Sequence, residues 1–120
     1  MTSGTFRDGH PRITLELPTQ TGVLSVEFIV DTGYEGDITM PPDLARQVDA
    51  MEMGSRRQSL ADGTIHRIPL YQTALEWEGE QRTVEMLVLG GQPLIGTDLL
   101  GDMLLQVEVT EGGEVTIEHL

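Results

Sequence analysis

A mainly β domain is expected from three features of this 120-residue chain. Apolar and polar residues alternate with period two in several short runs. Turn residues recur between those runs. Only two stretches suit a helix, and both are short. Together these point to a closed β-barrel or sandwich with one or two short helices. A chain of this length supports one core, so a single domain is expected over residues 12–120. Residues 1–11 are polar and contain Gly and Pro, the pattern of a flexible N-terminal arm.

The elements follow in order. Ile13, Leu15 and Leu17 alternate with Thr14 and Glu16, as in a half-buried strand. Pro18–Gly22 turns the chain. Val23–Val30 returns as a strand with Val26, Phe28 and Val30 on one face. Asp31–Gly36 is a loop, and Ile38-Thr39-Met40 a short strand. Pro41–Ala50 is the first helix candidate: Pro42 and Asp43 suit a first turn, and Leu44 and Val48 share a face. "RRQSLADGTIHRI" predicts a hairpin with Asp62-Gly63 as a two-residue turn. Tyr71, Thr73, Leu75 and Trp77 alternate, Glu78–Gln81 turns, and Thr83–Leu89 runs back. Thr97 is placed to cap a second short helix reaching Leu104. Leu105, Val107 and Val109 alternate, and Glu111–Glu114 turns into a last strand, Val115–Glu118.

Composition excludes several functions. Twenty acidic residues face seven arginines, for a formal net charge of −13. Such a surface repels phosphate backbones and anionic membranes, so neither nucleic acid nor membrane is an expected partner. No apolar run approaches the ~18 residues of a membrane helix. The segment "MTSGTFRDGHPR" lacks the apolar stretch of a secretory signal. The chain has no cysteine, hence no disulfide, thiol nucleophile or thiolate metal site. A cytoplasmic location is the expectation. His10, His66 and His119 lie far apart without metal-ligand spacing and are expected at the surface. Phosphate-loop, dinucleotide and Gly-x-Ser-x-Gly patterns are absent, so no metal or cofactor is expected.

The most informative stretch is "FIVDTGYEGDITM", Phe28–Met40. An apolar run ends abruptly in Asp31-Thr32-Gly33. All three residue types suit a turn. They equally suit a carboxylate held at the tip of a rigid strand. About sixty residues later Leu94-Ile95-Gly96 repeats the apolar-then-glycine pattern, followed by "TDLLGDM".

This combination resembles the retropepsin-like aspartic proteases (clan AA), closest to the prokaryotic single-domain branch whose motif reads Asp-Thr-Gly-Phe. The resemblance spans roughly residues 12–110. It implies a retropepsin-like fold with one lobe per chain, and a homodimer with the active site at the interface. Better-known members place Ala or Ser where this chain has Tyr34. A ring there would narrow the site, reposition the carboxylate or pack at the dimer interface.

The chemistry explains the motif independently. Peptide hydrolysis without a metal or covalent nucleophile needs an activated water. One ionised carboxylate takes its proton, and a protonated one polarises the carbonyl. Two carboxylates about 3 Å apart share a proton, for which aspartic proteases are the standard example. This chain contains one Asp-Thr-Gly and no Asp-Ser-Gly. Two copies of Asp31 must therefore meet across a two-fold axis.

Roles follow from motif and chemistry together. Asp31 is the expected catalytic carboxylate. Thr32 would bond the partner loop's backbone, and Gly33 would let its N–H approach the carboxylate. Leu94 and Ile95 would pack under the loop, with Tyr34 beside it, and Gly96 would permit a close crossing of chains. The hairpin tip Ala61, Asp62, Gly63 and Thr64 would be the flap over a peptide or protein substrate. The C-terminal hairpin Leu105–Glu118 is the expected source of apolar interface strands. Two chains of −13 repel, so association and activity are expected to strengthen toward mildly acidic pH. Tighter dimerisation at about pH 8 than at about pH 5, at matched salt, contradicts this. Two other classes remain open: a non-catalytic peptide-binding or dimerisation module on the same fold, and an acidic β subunit of a larger assembly. The intact triplet favours catalysis over the first, since a binding groove does not need a close carboxylate pair. Stabilisation by a pepstatin-type transition-state analogue separates an active dimer from the second.

Overall fold

Alternation becomes strand almost throughout. The computed structural model describes all residues, Met1–Leu120. Its strands are β1 (Thr2–Arg7), β2 (His10–Pro18), β3 (Val23–Val30), β4 (Ile38–Met40), β5 (Met51–Ser59), β6 (Ile65–Trp77), β7 (Glu80–Val88), β8 (Leu94–Ile95), β9 (Met103–Val107) and β10 (Glu114–His119). One helical turn, α1 (Pro42–Ala45), follows β4. All ten strands form one sheet in the order β5-β6-β7-β4-β8-β3-β2-β1-β10-β9. Neighbours are antiparallel except β3 with β8 and β4 with β7, which are parallel.

Period-two patterning predicts burial well. Ile13, Leu15 and Leu17 are buried, while Thr14 and Glu16 face solvent. Thr73, Leu75 and Trp77 are buried in β6. Phe28 of β3, Met40 of β4, Met86 of β7, Ile95 of β8 and Ile117 of β10 belong to one fully buried cluster. Strands distant in the sheet therefore share a core, and β2 packs on β6. The sheet curls over itself to achieve this.

Four expectations are corrected. First, the sheet is curled but not a closed barrel or two-sheet sandwich. Its end strands, β5 and β9, do not pair with each other. β5 is largely exposed and the first residues of β6 are too, so this hairpin projects from the core and cannot return to close the ring.

Second, residues 1–11 are not a loose arm. β1 pairs with β2 on one side and β10 on the other. Asp8 and Gly9 adopt φ of 52° and 80°, forming the tight two-residue link between β1 and β2. A Cβ on Gly4 would collide with the Arg12 carbonyl, so glycine permits the close approach of these strands.

Third, the second helix does not form. Residues 97–102 make a series of turns, and Met103 and Leu104 belong to β9. Asp102 has φ of 61°, which a continuing right-handed helix excludes. The first helix shrinks to α1: beyond it the Gln47 and Val48 N–H groups donate to carbonyls three residues back, and the Asp49 N–H donates to the Pro18 carbonyl at 2.8 Å.

Fourth, Asp62-Gly63 is not a two-residue turn. Leu60 N–H donates to the Thr64 carbonyl at 2.8 Å, and Gly63 N–H to Leu60 at 2.9 Å. Of the two, only Gly63 has positive φ. The result is a three-residue loop with a glycine bulge, since a two-residue turn needs positive φ at its first central position, at both in type I′ and at the first in type II′, and Asp62 has none.

Candidate active site

Asp31 stands where three short strands meet. β3 carries the apolar run up to Val30. β8 lies beside it, pairing Ile29 with Leu94 and Val30 with Ile95. β4 lies on the far side of β8, pairing Ile38 with Ile95. The chain thus leaves β3 at Asp31, loops out and returns as β4, with β8 threaded between. Val30, Ile38 and Ile95 are buried, so the loop rests on core. The Asp31 N–H donates to the Ile95 carbonyl at 2.8 Å, extending the β3–β8 pairing into the loop.

The Asp31 side chain is half-buried, and Thr32 and Gly33 are exposed. Gly33 N–H donates to Asp31 Oδ1 at 2.9 Å. A Cβ on Gly33 would lie 3.2 Å from that oxygen. Glycine therefore leaves the carboxylate room for this contact.

Leu94 and Ile95 lie alongside the end of β3, next to the start of the loop. The Leu94 N–H donates to Thr39 Oγ1 at 3.1 Å, tying β8 to β4. Gly96 is buried, and its N–H donates to the Asp37 carbonyl at 2.9 Å. A Cβ there would run into the Gly36 and Tyr34 carbonyl oxygens and the Tyr34 ring. The close crossing is thus within one chain, between residues 34–36 and the turn beginning at Gly96. Tyr34 is half-buried over this crossing, and its carbonyl accepts from Thr97 N–H at 2.8 Å.

Several charged partners of the loop lie far away in sequence. Asp37 Oδ2 accepts from the Glu85 N–H of β7 at 3.0 Å. The Glu85 carboxylate pairs with Arg56 of β5. Arg82 donates to the Asp98 carbonyl at 3.1 Å, holding the 97–102 turn against β7. Burial pushes the Tyr34 hydroxyl up to about 12, with Arg56 pulling the other way, so it stays neutral at physiological pH. Burial also raises the Asp37 carboxyl, against the pull of the Glu85 N–H and Arg82.

The raised Asp37 has a testable consequence. Its charged form is disfavoured in the folded chain, so it opposes stability above its raised pKa. That penalty disappears once pH falls below the ordinary carboxylate range. Asp37→Asn keeps an acceptor for Glu85 N–H. Thermal melts are expected to show the variant at least as stable as wild type at neutral pH, with any advantage vanishing as pH falls. A less stable variant at neutral pH contradicts this.

Two open clefts flank the loop. Asp31 and Thr32 line one, with Phe6, Leu105 and Val107. Gly33–Gly36 line the other, with Arg56, Gln58, Leu87 and Asp98. The structure thus brings β5, the first strand of the projecting hairpin, beside the loop. The tip residues Ala61, Asp62, Gly63 and Thr64 are exposed and line neither cleft. Asp62 Oδ1 accepts from the Thr64 N–H at 2.9 Å and its hydroxyl at 2.6 Å, bonds that hold its carboxyl below the usual range.

Sequence reasoning missed Arg56, Glu85, Asp37 and Arg82. Their contacts cross from 16 to 48 residues, and no local motif marks them. His10, His66 and His119 are exposed, as expected. No protein-family model, curated protein or solved structure matches the chain.

Proposed function

We propose that the chain is one half of a homodimeric aspartic-type endopeptidase with a retropepsin-like fold. The observation that carries this reading is the setting of Asp31: a single half-exposed carboxylate at the end of a core strand, on the lip of an open cleft. Its loop is fixed from beneath by the Ile95 carbonyl and oriented from the side by Gly33 N–H. A general acid or base needs this combination of rigid support and open access.

In the dimer each chain contributes one Asp31. The ionised carboxylate takes a proton from water as the water oxygen attacks the peptide carbonyl carbon. The protonated partner gives its proton to the carbonyl oxygen. The tetrahedral intermediate, a gem-diol, then collapses: the C–N bond breaks as the amide nitrogen receives the proton taken from water, and one gem-diol hydroxyl returns its proton to the partner carboxylate, which restores the starting pair. The pair titrates as a unit, so a bell-shaped pH profile belongs to both carboxylates jointly. Thr32, which is exposed, would bond the loop of the second copy. The β5–β6 hairpin, reaching the loop through Arg56 and Gln58, is the element suited to cover a bound peptide.

The test is cleavage of unfolded protein mixtures between about pH 4 and 7 by wild type and Asp31→Asn at matched concentration. Cutting by wild type alone supports the reading. Equal cutting by both overturns it. If neither cuts while both are folded dimers, general proteolysis is out and the peptide-binding alternative takes its place.

A further inference from the structure

The β5–β6 hairpin has two faces. Arg56 and Gln58 line the cleft beside the Asp31 loop. Period-two alternation puts Arg57 on the opposite face, with Arg67 directly across the ladder and Pro69 and Tyr71 further along β6. Pro69 and Tyr71 line a separate cavity of about 360 Å³ beside α1, with Ala45, Val48 and Ala50. It shares no residue with either cleft at the loop. We infer that this face docks a short acidic segment of a partner protein, with one apolar side chain in the cavity and its carboxylates on Arg57 and Arg67. The inference uses none of the Asp31 chemistry.

The first observation is where the positive charge sits. Residues 51–68 hold three of the seven arginines and two of the twenty acids. Arg57 and Arg67 are both exposed and stand opposite one another, an arrangement that weakens a hairpin. Neither has a carboxylate partner, whereas Arg7, Arg12, Arg46 and Arg56 all do. Arg67 reaches only the Ser55 hydroxyl, at 3.3 Å. On a chain this rich in acids, an unneutralised guanidinium pair is a site for a carboxylate from outside, which each fork can grip through two bonds.

The second is the cavity. Arg46 is the sole charged residue in its lining, and it is paired with Asp43 at 2.7 Å. The lining is otherwise largely apolar, so it suits an uncharged side chain. The exposed Glu52 stands across from Tyr71, at the end of the strip away from the two arginines. That sets the direction: the segment's acids belong at the arginine end. The third is spacing. Arg67 and Pro69 lie two residues apart, about 7 Å along the strand. An extended segment therefore places an acid two residues from its apolar anchor. A nucleic acid fits less well, because its phosphates run on past the two arginines over an acidic surface.

The experiment is an amide NMR titration of the full chain with the capped peptide Leu-Ser-Glu-Ser-Glu-Ser. Shift changes are expected at Arg57, Arg67, Tyr71 and Ala50. The dissociation constant is expected to rise at least about tenfold in the double variant Arg57→Gln, Arg67→Gln, and by a similar factor for a peptide with serine in place of leucine or glutamine in place of glutamate. Both arginines are exposed, and circular dichroism checks the fold. Gln106→Glu with Thr110→Glu matches the variant's net charge at the far end of the sheet and is expected to bind as wild type does. Absence of binding at millimolar peptide overturns the proposal. So does equal binding by the arginine variant, equal weakening by the control, or binding by inorganic phosphate that matches the peptide's. Shifts at these residues that move with chain concentration alone assign the face to a second copy and overturn the partner reading. Asp31→Asn is expected to bind the peptide unchanged, so this site and the protease reading stand or fall separately.

Discussion

Asp31→Asn is expected to lower peptide hydrolysis by about 10³-fold or more while leaving the fold and the dimer in place. Asn Oδ1 still accepts the Gly33 N–H that now reaches Asp31 Oδ1 at 2.9 Å. The backbone bond from residue 31 to the Ile95 carbonyl does not involve the side chain at all. What disappears is the titrating pair: an amide neither takes a proton from water nor passes one to the substrate carbonyl. Initial rates across pH, beside a circular dichroism spectrum and a sedimentation profile, check all three parts. Full activity in the variant removes Asp31 from the chemistry. Loss of fold together with activity assigns it a structural role instead.

Gly96→Ala is expected to destabilise the chain by about 3 kcal/mol, near the upper end of overpacking effects. The added Cβ meets two backbone carbonyls and the Tyr34 ring, and backbone cannot swing aside as a flexible side chain can. Entropy lost from the unfolded chain returns only ~0.4–1 kcal/mol. Urea unfolding measures the difference. Gly90→Ala is the control, because a Cβ there meets nothing within 4 Å. The same change is expected to depress activity beyond the loss of folded chain, because displacing Gly96 shifts Ile95, whose carbonyl holds the Asp31 N–H. A neutral Gly96→Ala would mean that the crossing of residues 34–36 over the turn is loose.

Much of this was legible from local pattern. Alternation located β2, β3, β6 and β7 because one face of each meets the core. The abrupt end of "FIVDTG" located the candidate carboxylate, and Leu94-Ile95-Gly96 located its support. Local reasoning failed where distant pairing decides. β1 offers only Phe6 as a large apolar residue within Thr2–Arg7, yet it is held by β2 and β10 on its two edges. Its Asp8-Gly9 link carries the dipeptide of a two-residue turn and forms one, whereas the same dipeptide at Asp62-Gly63 sits in a three-residue loop, so the dipeptide alone does not decide. The second helix gave way to turns over residues 97–102 and to β9 from Met103, and the left-handed backbone of Asp102 that ends the turns is something no propensity argument demands. The charged group behind the loop was invisible, because Asp37 reaches Glu85, and Glu85 reaches Arg56, only after β4, β5, β6 and β7 have assembled.

The central claim is that one functional site needs two chains, each giving one Asp31. Mixing tests it most directly. Wild type and Asp31→Asn are allowed to exchange subunits at constant total concentration, and hydrolysis is followed as the wild-type fraction varies. A shared pair predicts that the rate follows the square of that fraction, because a mixed dimer holds one carboxylate and is inactive. A rate that falls in direct proportion to the wild-type fraction, in a sample shown to contain mixed dimers, would mean that each chain works alone.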